Sequence, residues 1–307
     1  MLSIRAAEAV ALATALSWSA TYVLFSIAVH RYGASALNRM RLLVALGLLF
    51  ITHAAIYGTP LPRAGLATWG WLAASGVVGF TVSDTLLFSA LRRLGAHRTS
   101  LVMALVPVFS AAIAWISLGE KLSAWQAVAV GAVILGIVIV LGQRSPAAST
   151  EKANPEAGGR TRSIRIGLLF AIAAAAAQAS RYVLSKQGLS SGTPPISANV
   201  IQILCAAGAA WLIAAIRPRS AWPQHAVDDR KATRAMLGGA FFGPFLGVTL
   251  SLIALRSAPV GIASTLMALV PVFLLPFAGS PGRRRPSVPA IAGTALAVGG
   301  AAMLFLL

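Results

Sequence analysis

A carboxylate, several cations and several amides stand inside stretches of this sequence that are otherwise apolar. Asp84 lies within "GFTVSDTLLFSA", roughly 10 Å from the end of its apolar run at about 1.5 Å of helical rise per residue. Arg41 lies about 8 Å into the preceding run by the same count, on the matching side, with Asn38 and Arg39 nearer the rim. Equal depths predict an Asp84–Arg41 pair. A deep carboxylate can bind an amine or exchange a proton, and it costs several kcal/mol in hydrocarbon unless it faces protein or water. A second group, Arg181 with Asn199 and Gln202, falls toward the opposite face, with Lys186 at the rim. The two groups predict two vestibules that contact a substrate or a proton. The plainer alternative is that these charges satisfy each other or snorkel to the headgroups. Trp18 and Tyr22 stand opposite Gln178 and Tyr182, as flat or hydrogen-bonding walls or simply as core.

Composition says which elements must carry them. The chain has 307 residues, 58% hydrophobic and 10% charged, with a mean hydropathy of +0.81, against roughly 45–50% apolar and 25% charged in soluble domains. Apolar runs of about 18 residues or more read as membrane spans. Ten are present, near 7–29, 36–56, 66–91, 98–117, 123–142, 166–187, 196–216, 235–255, 260–279 and 288–307. The net charge of +18 is scattered through short loops, where it sets topology and meets anionic lipid. It lacks the clustered footprint that nucleic acid requires. A lone Cys205 forms no intramolecular disulfide or cysteine metal site. His30, His53, His97 and His225 have no partner at metal-ligand spacing, and no phosphate loop, nucleophile elbow or dinucleotide fingerprint occurs. The expectation is a non-enzyme with no cofactor and no metal. His53 reads as a packed or cavity-lining group.

The string "MALVPVF" occurs at 103–109 and again at 267–273. "ALSWSATYVLFS" (15–26) aligns with "AAAQASRYVLSK" (175–186) at an offset of 160, Asn38 falls opposite Asn199, and from the third run onward an offset of 164 holds without a gap. The first run therefore has an internal partner and belongs to the mature fold, not to a cleaved signal. The chain reads as two copies, 1–142 and 166–307, joined by a polar linker at 143–165. Five spans per copy is an odd number, so the second copy enters the membrane upside down. Inverted repeats are an architecture of secondary transporters, with a midplane site and alternating access.

The duplicated "MALVPVF", the stretch "WISLGEKLSAWQAVAVGAVILGIVIV" with its Gly119-Glu120, and "PSVPAIAGTALAVGGAAMLFL" resemble the EamA-type repeats of the ten-span drug/metabolite transporter superfamily. The resemblance covers nearly the whole chain. It implies an all-α membrane protein of ten transmembrane helices in two inverted five-helix repeats, a central substrate cavity, and termini in the cytoplasm. One departure stands out: Glu120 falls opposite Arg284 and Gly119 opposite Arg283. Ser123 and Gln126 have capping-box spacing, and Glu120 is placed to favour the positive end of that fifth helix. Pro107 and Pro271 are expected to kink their helices. Gly239, Gly243 and Gly247 allow close helix approach and offer a face for a second copy, although the sequence names no oligomeric partner. Trp69, Trp71 and Trp125 read as interfacial anchors.

The expected function is transport of a small metabolite, an amino acid or related compound, outward across the inner membrane. The expected partners are that substrate and the lipid bilayer, not nucleic acid. A nontransporting scaffold or sensor and a membrane-embedded enzyme are the alternatives. Seventeen Lys and Arg lie in loops after odd-numbered spans against five on the other side. The positive-inside rule therefore puts the odd loops in the cytoplasm and both termini outside, opposite to what the resemblance implies.

Overall fold

The computed structural model describes residues 3–103, 105–142, 157–216, 229–274 and 288–306. Residues 143–156 of the linker and Arg283 to Arg285 lie outside these. The described residues form helices and no strands. The first copy contains α1 (Ile4–Tyr32), α2 (Ala34–Tyr57), α3 (Leu66–Gly76), a π-helical segment (Val77–Ser83), α4 (Asp84–Met103), α5 (Val106–Leu118) and α6 (Ala124–Gly142). The second contains α7 (Ala157–Leu189), α8 (Pro195–Ile216), α9 (Arg230–Ala240), a second π-helical segment (Phe241–Gly247), α10 (Val248–Ser257), α11 (Val260–Met267), α12 (Val270–Leu274) and α13 (Val288–Leu306).

Local chemistry sets many of these ends. Ser3 accepts from Ala6 N at the start of α1. The predicted capping box opens α6, with Ser123 N donating to Gln126 Oε1 at 3.0 Å and Gln126 N to Ser123 Oγ at 3.2 Å. Asp229 caps α9 and pairs with Arg31 at the end of α1. The Ala232 N–H foremost, with the Lys231 N–H and Arg31, holds its carboxyl below the usual carboxylate range. Gly58 ends α2 in the left-handed conformation, φ 73°, which a side chain would disfavour.

Among the described residues, six helical stretches are long and apolar enough to cross a membrane, and three more are shorter apolar helices. For the fourth expected span, 98–117, the difference has an identifiable origin. The expected loop at 92–97 is helical, so α4 continues to Met103, and this leaves α5 only 13 residues. α4 packs along α7, with Gly167 against Leu94 and Arg93 stacked at 4.9 Å on Phe170.

Neither proline kinks a continuous helix. Pro107 is the second residue of α5 after a turn at Leu105, and Pro271 the second of α12 after a turn at Ala268 and Leu269. A first-turn N–H has no intrahelical partner, so a proline loses nothing there and its fixed φ suits the helix start. Ser19 of α1 donates to Val270 O at 3.2 Å, beside the second break.

In lipid no hydrophobic force drives helices together, so close approach of small residues must serve. A Cβ on Gly136 of α6 would lie 2.5 Å from Ala297 N and from Gly293 O of α13, and one on Gly300 would lie 2.9 Å from Ala129 O. Partner numbers rise along one helix as they fall along the other, so α6 and α13 run antiparallel. The offset of 164 turns 129 into 293, 133 into 297 and 136 into 300, so the contact maps onto itself. These two corresponding helices of the copies therefore run in opposite directions. The glycine row of the eighth run is also an internal contact: Gly239, Gly243 and Gly247 meet Phe25, Thr21 and Trp18 of α1. It therefore offers no face to a second copy.

Candidate functional site

The two π-helical segments occupy corresponding positions, 77–83 and 241–247, in the middle of their spans. A π turn disturbs the regular hydrogen-bond ladder and leaves backbone groups to be satisfied from outside. In both copies a neighbouring helix supplies an asparagine. Asn38 Nδ2 donates to Phe80 O at 2.8 Å, and Asn199 Nδ2 donates to Pro244 O at 2.9 Å. The same residue type at the same place in both copies performs the same task, which span counting does not reveal. The available signal was the asparagine pair opposite mid-span Gly79 and Gly243-Pro244.

The copies diverge beyond this point. Asn38 Oδ1 accepts from Arg41 Nε at 2.8 Å, and Arg41 forms the predicted ion pair with Asp84. The two side chains are 8% and 14% exposed, so the pair is largely shielded from screening. Arg41 also lies over the rings of Phe25 and Phe88, 5.4 Å from each. In the second copy Gln202 stands at the Arg41 position and Val248 at the Asp84 position. Gln202 Nε2 donates to Ser185 Oγ at 2.9 Å, and Ser185 bonds Ser75 at 2.8 Å. Ser75 and Ser185 were not expected in the site.

Arg181 does not join Asn199 and Gln202 in a separate vestibule. Its guanidinium turns toward the first copy and lies between the rings of Phe80 and Tyr182, at 4.9 and 4.8 Å. Glycine makes the room: a Cβ on Gly79 would sit 1.8 Å from Arg181 Cδ. Phe80 thus contributes its carbonyl to Asn38 and its ring to Arg181, and the two expected clusters meet on one π segment. Tyr22 lies within electrostatic range of Asp84, Arg41 and Tyr182. Gln178 Nε2 donates to the Tyr182 hydroxyl at 3.2 Å, and the Trp18 indole covers Gly247. Trp18, Tyr22 and Gln178 remain half-buried while Tyr182 is buried. Arg39 stacks elsewhere, 5.3 Å from the ring of Trp211. His53 ties α2 to its neighbours through Thr59 O and the Ser197 hydroxyl, which is a packing role.

The sequence profile of the EamA-like transporter family matches residues 5–142 and again 165–306. The chain belongs to this family. It is a multi-pass membrane protein with two EamA repeats and a transporter of the drug/metabolite type. A crystal structure titled only as that of a protein shares its fold, with a TM-score of 0.76 and 21% identity over 98% of this chain and 96% of that one. No curated protein matches the sequence.

The Gly-Glu motif of the first EamA repeat acts across the repeats. Glu120 does not serve its own following helix. Its Oε2 accepts from Val260 N at 2.7 Å, at the start of α11, and its other oxygen pairs with Lys186 of α7. Lys186 also donates to Ala258 O at 2.6 Å. Pro259, the N-cap of α11, has no side-chain acceptor, so Glu120 supplies one. In the first copy the positions equivalent to Pro259 and Val260 are Gly95 and Ala96, inside the unbroken α4. No helix begins there, and an equivalent glutamate would have nothing to cap. Arg284, at the position of Glu120 in the second copy, lies outside the described residues. Glu120→Gln keeps the acceptor and removes the charge. Since both side chains are partly exposed, we expect a loss of about 1–2 kcal/mol, read as a lower melting temperature of purified protein. An unchanged melting temperature would show the pair to be idle.

Proposed function

We propose that the chain, as ten spans in two inverted copies bounded at 142 and 166, moves a small metabolite outward across the inner membrane by alternating access. The substrate is an amino acid or related compound, with Asp84 as the amine-binding or proton-exchanging group. The supporting observation is the pair of asparagine-capped π segments at matched mid-span positions, one of which carries the Arg41–Asp84 pair. Irregular backbone at membrane depth is tolerated where protein or a water-lined cavity satisfies it, and π segments inside α-helices are frequent at functional sites. Asn38, Arg181, Tyr22 and Tyr182 line the same path, Trp18 and Gln178 form its walls, and Asn199 and Gln202 hold the second copy against it. The breaks before Pro107 and Pro271 serve as hinges. The charge bias supports odd loops in the cytoplasm.

The test is untargeted mass spectrometry of intracellular and extracellular metabolites from cells with and without the chain. We expect at least one small compound to be depleted inside and enriched outside only when the chain is present. No redistribution across a broad panel would favour a scaffold or sensor.

A further inference from the structure

We propose that Arg181 anchors an internal site for a small organic monocarboxylate, an assignment that deepens the transport reading and rests on it for its biological role. Arg181 is 0% exposed, and its Nε, Nη1 and Nη2 have no hydrogen-bond acceptor among the described residues. Ser75 and Ser185 do not serve it, since their hydroxyls face the Arg181 backbone carbonyl, at 3.1 and 2.7 Å, and the Tyr182 hydroxyl beside it is a neutral partner that leaves the charge unbalanced. A buried guanidinium without an anionic partner is costly, because desolvation is not repaid.

The surroundings are nevertheless built for it. Gly79 clears space for its stem, and the Phe80 and Tyr182 rings cover it at 4.9 and 4.8 Å. Aromatic faces stabilise the charge and leave the N–H edge of the plane as the direction in which it can bond. That edge is a fixed fork of donors matching the two oxygens of a carboxylate.

Charge decides the class. Arg41 and Asp84 neutralise each other in their ion pair, so the positive charge of Arg181 is the surplus around this π segment. One negative charge balances it; a dicarboxylate or a phosphate monoester brings too many. Tyr22, aromatic, half-buried and within electrostatic range of Tyr182, favours an apolar or aromatic body on the ligand. The first copy has Thr21 at the position of Arg181, packed against Gly243 as Arg181 is against Gly79. There is accordingly one such anchor in the duplicated unit, and the site takes one ligand.

The experiment is a thermal-shift titration of the purified full chain with 3-phenylpropionate, its neutral amide 3-phenylpropionamide, and 3-phenylpropylamine. We expect saturable stabilisation by the carboxylate alone, and binding about 10- to 100-fold weaker in Arg181→Gln, the size of a lost charge-assisted contact. Arg181→Lys, which keeps the charge without the fork, should fall between. Equal stabilisation by the amide, an undiminished response in Arg181→Gln, or no response to the carboxylate at millimolar concentration would each overturn the assignment. If Arg181→Gln does not fold, the wild-type isostere series and Arg181→Lys decide it alone. Flux into liposomes separates the two readings. Carboxylate binding without flux sinks transport and leaves the site, whereas flux of the amine without carboxylate binding sinks the site and leaves transport.

Discussion

Asp84→Asn is expected to abolish export of whatever compound the wild type redistributes, by ~100-fold or more, the size seen when a positioned proton-transferring group is lost. The single substitution also leaves Arg41 buried beside an uncharged amide. Removing one partner of a buried pair destabilises by about 3–5 kcal/mol, so loss of flux could reflect loss of folded protein. The double variant Arg41→Gln/Asp84→Asn separates these effects. It removes both charges together and keeps groups that can hydrogen-bond each other and Asn38, so membrane level and melting temperature should recover while flux should not. Such a cycle isolates the pairwise contribution from the chemical one. Flux restored to wild-type rates in the double variant would return Asp84 to a purely structural role.

Gly136→Val should remove most of the folded protein, and Gly131→Val in the same helix should not. A Cβ at 136 meets the backbone of α13 at 2.5 Å, whereas one at 131 meets nothing within 4 Å. Backbone cannot rotate away as a side chain can, so α6 and α13 must separate, with a cost of ~3 kcal/mol or more for overpacking. The check is the monodisperse fraction and melting temperature of each variant after detergent extraction. Similar behaviour of the two would refute the antiparallel contact.

The Arg41–Asp84 pair was readable without a structure because helical rise converts residue number into depth, and both side chains lie on spans that start or end on the same side. The same arithmetic misplaced Arg181. Counting depth ignores rotation about the helix axis and the gap left by Gly79 on another helix, and those two features carry the guanidinium to Phe80. Glu120 illustrates a related limit. Its capping role could be inferred from type and position, but the helix it caps lies 140 residues away in sequence, and sequence proximity suggested the wrong one.

Membrane residence, helical class and duplication are one-dimensional properties. They follow from composition, run length and self-alignment, and no contact is needed to state them. The helical path through 92–97, the paired π segments, the prolines as helix starts and the meeting of Arg181 with the first copy depend on which helices touch and on which azimuth. Those choices are made by small residues that let particular backbones approach, and by buried carbonyls that must find a donor on a neighbour, so they exist only once the helices are packed.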